Sequence, residues 1–142
     1  MLPTITPHLN IFFDVDETIV GYDGSLRPLV HETFKVLVEE GHRIYIWSGV
    51  RTADTVRAEV IERHGLATYV TDCFQKPRFD YLAQWQRSGI GIQPDFIVDD
   101  YPEIVEAFGG ILIKPYARAQ PDTDLERVYS AIKAAAESSS SP

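Results

Sequence analysis

Ile11-Phe12-Phe13-Asp14-Val15-Asp16-Glu17-Thr18 is the stretch on which the reading of this chain turns. Its unbroken apolar run predicts a strand buried on both faces, because a strand with one wet face alternates polar and apolar positions. The run ends abruptly in Asp14 and Asp16, so the strand delivers carboxylates at its carboxyl end.

Working outward, the same unit recurs. Glycines and polar residues from Gly21 to Arg27 predict an exposed loop or small hairpin, and Pro28 suits the first turn of a helix carrying Val30, Phe34, Leu37 and Val38. Gly41 ends that helix, and Arg43 to Trp47 predicts a second strand running into Ser48-Gly49. Thr52 caps a helix with Val56, Val60 and Ile61, and Tyr69-Val70-Thr71 predicts a third strand with Lys76 shortly after. Pro77 introduces a helix containing Phe79, Leu82 and Trp85. Asp95 to Val98 predicts a fourth strand ending in Asp99-Asp100, Pro102 opens a short helix, and Ile111 to Ile113 predicts a fifth strand. A last helix presents Leu125, Val128, Tyr129 and Ile132 on one face.

Apolar strands alternating with helices imply a three-layer α/β architecture around a central parallel sheet of about five strands. In such a sheet every strand points the same way, and ligands bind beyond the carboxyl ends. Asp14, Asp16, Ser48, Lys76, Asp99 and Asp100 should therefore gather on one edge, although they are scattered in sequence. Clustered carboxylates raise one another's proton affinity, so they call for a cation, and an all-oxygen set selects a hard ion such as Mg²⁺. A metal and the Lys76 ammonium together would let a carboxylate approach a phosphate dianion, with the Ser48 hydroxyl and the following amide donating to its oxygens.

Composition narrows the function classes. Hydrophobic residues at 44% and charged residues at 24% are ordinary for a globular chain of 142 residues, so one domain over residues 1–137 is expected, followed by a disordered serine-rich tail at 138–142. The formal charge of −8 disfavours broad nucleic-acid binding. A single cysteine, Cys73, rules out an internal disulfide and reads as a small buried hydrophobe. No apolar stretch approaches membrane-spanning length, so a cytoplasmic protein without membrane contact is expected. His8, His31, His42 and His64 show no ligand spacing, Trp47 and Trp85 read as core or subunit-contact residues, and Lys114 is a weak candidate for substrate contact.

In order, these residues match the four motifs of the haloacid dehalogenase (HAD) superfamily: Asp14-Val15-Asp16-Glu17-Thr18, Ser48, Lys76 and Asp99-Asp100. From about Leu9 to Pro115 the chain resembles that family. The resemblance implies a Rossmann-like fold and a Mg²⁺-dependent phosphatase in which Asp14 forms an aspartyl-phosphate and Asp16 is the general acid and base. It implies metal ligation by the Asp14 carboxylate, the Asp16 backbone carbonyl and Asp100, with Asp99 in support, and substrate contacts from Thr18, Ser48, Gly49, Arg51 and Lys76. Glu17 replaces the glycine common in the first motif.

The intervals between motifs leave no room for a large cap domain, only for a short flap at residues 19–27. An open site of this kind suits a large substrate, or a phosphorylated small molecule if a second copy of the chain covers it. Ser48-Gly49-Val50-Arg51 and Val98-Asp99-Asp100 also resemble the phosphatase domain of polynucleotide kinase-phosphatases and, more loosely, capless sugar-acid phosphatases. Arg51 is either a substrate contact or an exposed helix-start arginine. Taken singly, Ser48 reads as a helix cap and Lys76 as a surface charge; their place in the ordered set promotes both. The non-enzymatic alternatives are a phosphorylation-dependent receiver, in which the acceptor aspartate follows a middle strand after the acidic pair, and a silent phosphate-binding module.

Overall fold

The computed structural model describes residues 8–139. The chain forms β1 (Asn10–Asp14), α1 (Val30–Glu39), β2 (Arg43–Ser48), α2 (Ala53–Val56, continued by π-helical turns over Arg57–Glu62), β3 (Val70–Gln75), α3 (Tyr81–Arg87), β4 (Phe96–Asp99), α4 (Pro102–Phe108), β5 (Gly110–Leu112) and α5 (Asp124–Ser139). The five strands lie in the order β3-β2-β1-β4-β5, every neighbouring pair parallel. β1 is central, with Phe13 opposite both Ile46 and Val98. This is the doubly wound Rossmann order; receiver domains follow 2-1-3-4-5, so the topology removes the receiver alternative.

Side chains of successive strand residues point to opposite faces, and the core divides accordingly. Ile11, Phe13, Ile44, Ile46 and Val98 pack with Val30, Phe34 and Leu37 of α1 and with Leu125, Val128 and Ile132 of α5. Phe12, Tyr45, Trp47 and Ile97 meet Trp85 of α3 and Ile104 of α4. This second layer is aromatic: the Phe12 ring centroid lies 4.9 Å from Tyr45, 4.7 Å from Trp47 and 5.5 Å from Trp85. Each fully buried side chain of this kind contributes about 1.5–3 kcal/mol, which makes β1, covered on both faces, the natural centre of the sheet. Trp47 is thus a core residue beneath the sheet edge and not part of the pocket wall.

Several elements differ from expectation for identifiable reasons. β3 reaches Gln75, well past Thr71, because as an edge strand it keeps polar residues at half-exposed positions and reads as a loop. Pro28 precedes the first helix: Leu29 takes a left-handed conformation (φ 74°) and α1 starts at Val30. Val38 lies outside the buried stripe of α1. Phe79 and Leu82 are exposed, and of α3 only Trp85 is buried. α5 extends through Ser138 and Ser139, where Ser139 Oγ donates to the Ala135 carbonyl, so the expected tail begins no earlier than residue 140; residues 140–142 lie outside those described. Among the described residues no helix is long and apolar enough to cross a membrane.

Residues 15–29 form the only connection between β1 and α1, and they hold the short flap in place of a cap. Val20 bridges Leu26 in antiparallel fashion, and the Tyr22 amide donates to the Ala117 carbonyl at 2.7 Å, so the flap is tied to the segment after β5. Arg27, expected in an exposed loop, is the anchor and only 1% exposed. Its Nε and Nη2 donate to the Asp122 carboxylate at 2.8 and 3.0 Å, and the guanidinium also reaches the carbonyls of Lys114 (2.7 Å) and Thr18 (3.2 Å). One buried cation thereby joins the turn after β1 to the segment after β5. Arg27→Met should cost about 3 kcal/mol in chemical denaturation, since it strands a carboxylate and two carbonyls. Arg57→Met, which removes a solvent-exposed pair with Asp72, should cost less than about 1 kcal/mol.

Candidate active site

The carboxyl edge of the sheet gathers the residues that the sequence scatters. β1 ends in Asp14, and the chain then turns tightly, with the amides of Ile19 and Val20 donating to the Val15 carbonyl at 3.0 and 3.2 Å. Glu17 sits in that turn at φ 64°. A side chain there costs roughly 1–2 kcal/mol relative to glycine, which explains why a glycine suits this position. The Glu17 carbonyl accepts from the Tyr116 amide (2.8 Å), and its side chain bonds the Tyr22 hydroxyl of the flap.

Lys76, the residue after β3, lies between two carboxylates. Its Nζ donates to Asp14 Oδ1 at 2.9 Å and to Asp99 Oδ2 at 3.0 Å. The Lys76 amide donates to the Ser48 carbonyl (2.8 Å), which fixes where the side chain departs. Burial opposes the Lys76 charge, but its two carboxylate partners outweigh it and the net pKa is raised. Asp99 is fully buried and committed, its Oδ1 accepting from the Tyr101 amide at 3.0 Å. Asp100 instead faces the cleft, with a carboxylate oxygen within 4.8 Å of those of Asp14 and Asp99.

Ser48 Oγ accepts from the amides of Val50 (3.3 Å) and Arg51 (2.9 Å). The capping and catalytic readings are therefore compatible: the lone pairs are held by the backbone, leaving the hydroxyl proton for an acceptor in the cleft. Gly49 lines the cleft, and a Cβ there would touch Lys76 Cε at 3.6 Å.

Two residues expected at the substrate are engaged elsewhere. Thr18 is fully buried, and its Oγ1 donates to Asp14 Oδ2 at 3.3 Å, so it orients the carboxylate from behind. Arg51 is not an unpaired surface residue: its Nη2 and Nε donate to Asp16 Oδ1 at 2.8 and 3.2 Å, and its Nη1 to Glu59 at 3.4 Å. Lys114 uses its carbonyl to hold Arg27 and lies away from the cleft lining. Cys73 is buried as the sequence suggests and His42 is buried too, and burial raises the thiol pKa and lowers that of the imidazole.

Asp14, Asp99 and Asp100 offer carboxylate oxygens that lie within 4.8 Å of one another. Burial, followed by the proximity of Asp14, pushes Asp99 to about 6. Burial, followed by the neighbouring Asp14 carboxyl, pushes Asp100 to about 7. Such a cluster holds protons near neutrality unless another cation replaces them, and its all-oxygen donors fit Mg²⁺. The Asp16 carboxylate, paired with Arg51, stands outside this group.

The cleft above the cluster has a volume of about 440 Å³ and is lined on its far side by Pro77, Arg78, Tyr81, Tyr101 and Ile104. The sequence reading did not single out Arg78, Tyr81 or Tyr101. Their signal was proximity to motif residues: Arg78 lies two positions after Lys76 and Tyr101 directly after Asp100.

No protein-family model and no curated protein sequence matches the chain. Among solved structures, it is similar to the core domain of a candidate phosphoglycolate phosphatase from Streptococcus pneumoniae TIGR4, with a TM-score of 0.56 and 16% identity over 89% of this chain and 98% of that one. The chain shares the parallel α/β fold of that core domain. At this identity the likeness is one of architecture, and the case for chemistry rests on the side chains. In this fold Asp14, Lys76 and the pair Asp99-Asp100 all meet at the carboxyl edge of the sheet.

Between about pH 4 and pH 7 the folded acidic pair binds more protons than the unfolded chain, so its ionisation removes stability as pH rises. In chelator, wild type should lose melting temperature relative to Asp100→Asn between about pH 5 and pH 8. His42 and His64, whose pKa values are lowered mainly by burial, are common to both proteins and cancel in that difference. Magnesium at the higher pH should restore wild type and leave the variant nearly unmoved. Parallel melting curves for the two proteins would show that the cluster does not carry this charge burden.

Proposed function

We propose that the chain is a Mg²⁺-dependent phosphoric monoester hydrolase acting through an aspartyl-phosphate on Asp14. The observation that carries this reading is the position of the Lys76 ammonium, 2.9 Å from Asp14 and 3.0 Å from Asp99, at the floor of an open cleft. An attacking carboxylate needs its oxygen fixed and the repulsion of a phosphate dianion relieved, and Lys76 and Thr18 supply both from opposite sides of Asp14.

In the first step an Asp14 carboxylate oxygen bonds to phosphorus while the bond to the leaving oxygen breaks, and Asp16 supplies the proton that this oxygen takes up. In the second, Asp16 accepts a proton from water as the water oxygen attacks the phosphoryl group, which regenerates Asp14 and releases inorganic phosphate. Ser48 Oγ–H and the amide of Gly49 donate to phosphoryl oxygens. Arg51 keeps the Asp16 carboxylate on its side of the cleft. Asp14 and Asp100 would hold the metal, with the Asp16 backbone carbonyl, and Asp99 would support them from below; bound there, Mg²⁺ supplies charge neutralisation for the phosphoryl oxygens.

The substrate is proposed to be a phosphorylated small molecule. Phosphoglycolate, the compound in the name of the structural neighbour, is the reference ester against which others are ranked. Hydrolysis of para-nitrophenyl phosphate should require Mg²⁺ and cease on chelation. Asp14→Asn should abolish turnover, and Asp16→Asn should slow it by about 10²–10⁴-fold. Retention of near wild-type rates by either variant would overturn the assignment of roles.

A further inference from the structure

The cleft is larger than a phosphoryl group needs, and its volume of about 440 Å³ falls in the range of sites that enclose a whole small molecule. Its charges are unevenly committed. Asp14, Asp16, Glu17 and Asp100 line it, while Lys76 is shared by Asp14 and Asp99, and Arg51 by Asp16 and Glu59. Arg78 also lines it, and among the described residues its guanidinium has no carboxylate partner.

The backbone at Arg78 is nonetheless held in place. Its amide donates to Gln84 Oε1 at 2.7 Å, Pro77 before it is buried, and Asp80 after it takes a left-handed conformation at φ 45°. A non-glycine residue in that region persists where the surroundings enforce it, so the rim segment has a defined shape. Two tyrosines line the same cleft: Tyr81, half-buried, and Tyr101, 52% exposed. A cleft lined by aromatic rings and by an arginine without a carboxylate partner suits a ligand with a ring and a negative charge of its own.

We propose that Arg78, Tyr81 and Tyr101 form a leaving-group subsite selecting phosphate monoesters of small, ring-bearing molecules that carry a second anionic group. This rests on the phosphatase reading. The phosphoryl group lies on the floor over Asp14, the ring packs on Tyr81 and Tyr101, and the second anion pairs with Arg78. Overall charge agrees with a small ligand: at −8 the chain repels long polyanions, whereas one placed arginine still accepts one anionic group.

Three esters separate the components: phenyl phosphate has the ring alone, phosphoglycolate the second anion alone, and 4-carboxyphenyl phosphate both. With Mg²⁺, kcat/KM should be highest for 4-carboxyphenyl phosphate, by about tenfold over phenyl phosphate, as expected for a charge-assisted hydrogen bond. In Arg78→Ala the ratio between the two aryl esters should fall toward one, with partial recovery in Arg78→Lys. General damage would lower both esters together and leave the ratio intact. Tyr101→Ala should lower both aryl esters relative to phosphoglycolate. A ratio unaffected by Arg78→Ala, or phosphoglycolate as the best of the three, would overturn the subsite while leaving the phosphatase reading standing. Failure of wild type to hydrolyse any ester would remove that reading and the subsite with it.

Discussion

Two carboxylates from different strands, Asp14 at the end of β1 and Asp99 at the end of β4, would face each other across the sheet edge without the ammonium of Lys76 between them. This contact ties β3, at one edge of the sheet, to two strands on the other side of β2. It also explains the division of labour in the acidic pair. Asp99, with both oxygens occupied by Lys76 and the Tyr101 amide, acts as a fixed buried charge, and Asp100 is left to face the cleft.

The fold is arranged to hold that edge still. β1 lies between β2 and β4 and is covered on one face by apolar residues of α1 and α5 and on the other by the aromatic layer of Phe12, Trp47 and Trp85. Its carboxyl end therefore cannot shift without disturbing both layers, and dense interiors resist such shifts. The turn that follows is secured differently, by polar contacts. Arg27 grips the Thr18 carbonyl and Asp122, and Tyr116 donates to the Glu17 carbonyl. A left-handed Glu17 is tolerable because its neighbours over-determine it.

A flap in place of a cap leaves one side of the site open to solvent, and the burden of shaping it falls on residues after Lys76 and Asp100. Tyr22 from the flap, bonded to Glu17, stands on one side; Tyr81 and Tyr101 stand on the other. Arg51, by sequence either a substrate contact or a helix-start arginine, pairs with Asp16 and Glu59.

What sequence alone determined was the alternation of apolar strands and helices, the parallel sheet, and the gathering of Asp14, Ser48, Lys76, Asp99 and Asp100 on one edge. These are legible because burial on two faces and strand polarity are written in local pattern: Phe12 and Phe13 can only be core, and whatever follows them lies at the edge. The partners of the polar side chains were not legible. Arg27 reads as a loop residue and is buried because Asp122 and the Lys114 carbonyl, far along the chain, close around it. Arg51 and Thr18 likewise took their places from Asp16 and Asp14, and β3 looked like a loop because an edge strand keeps polar residues. Only the tertiary structure decided these, since the free energy of a charge or hydroxyl depends on the groups brought within a few ångströms of it, and sequence spacing does not encode that distance.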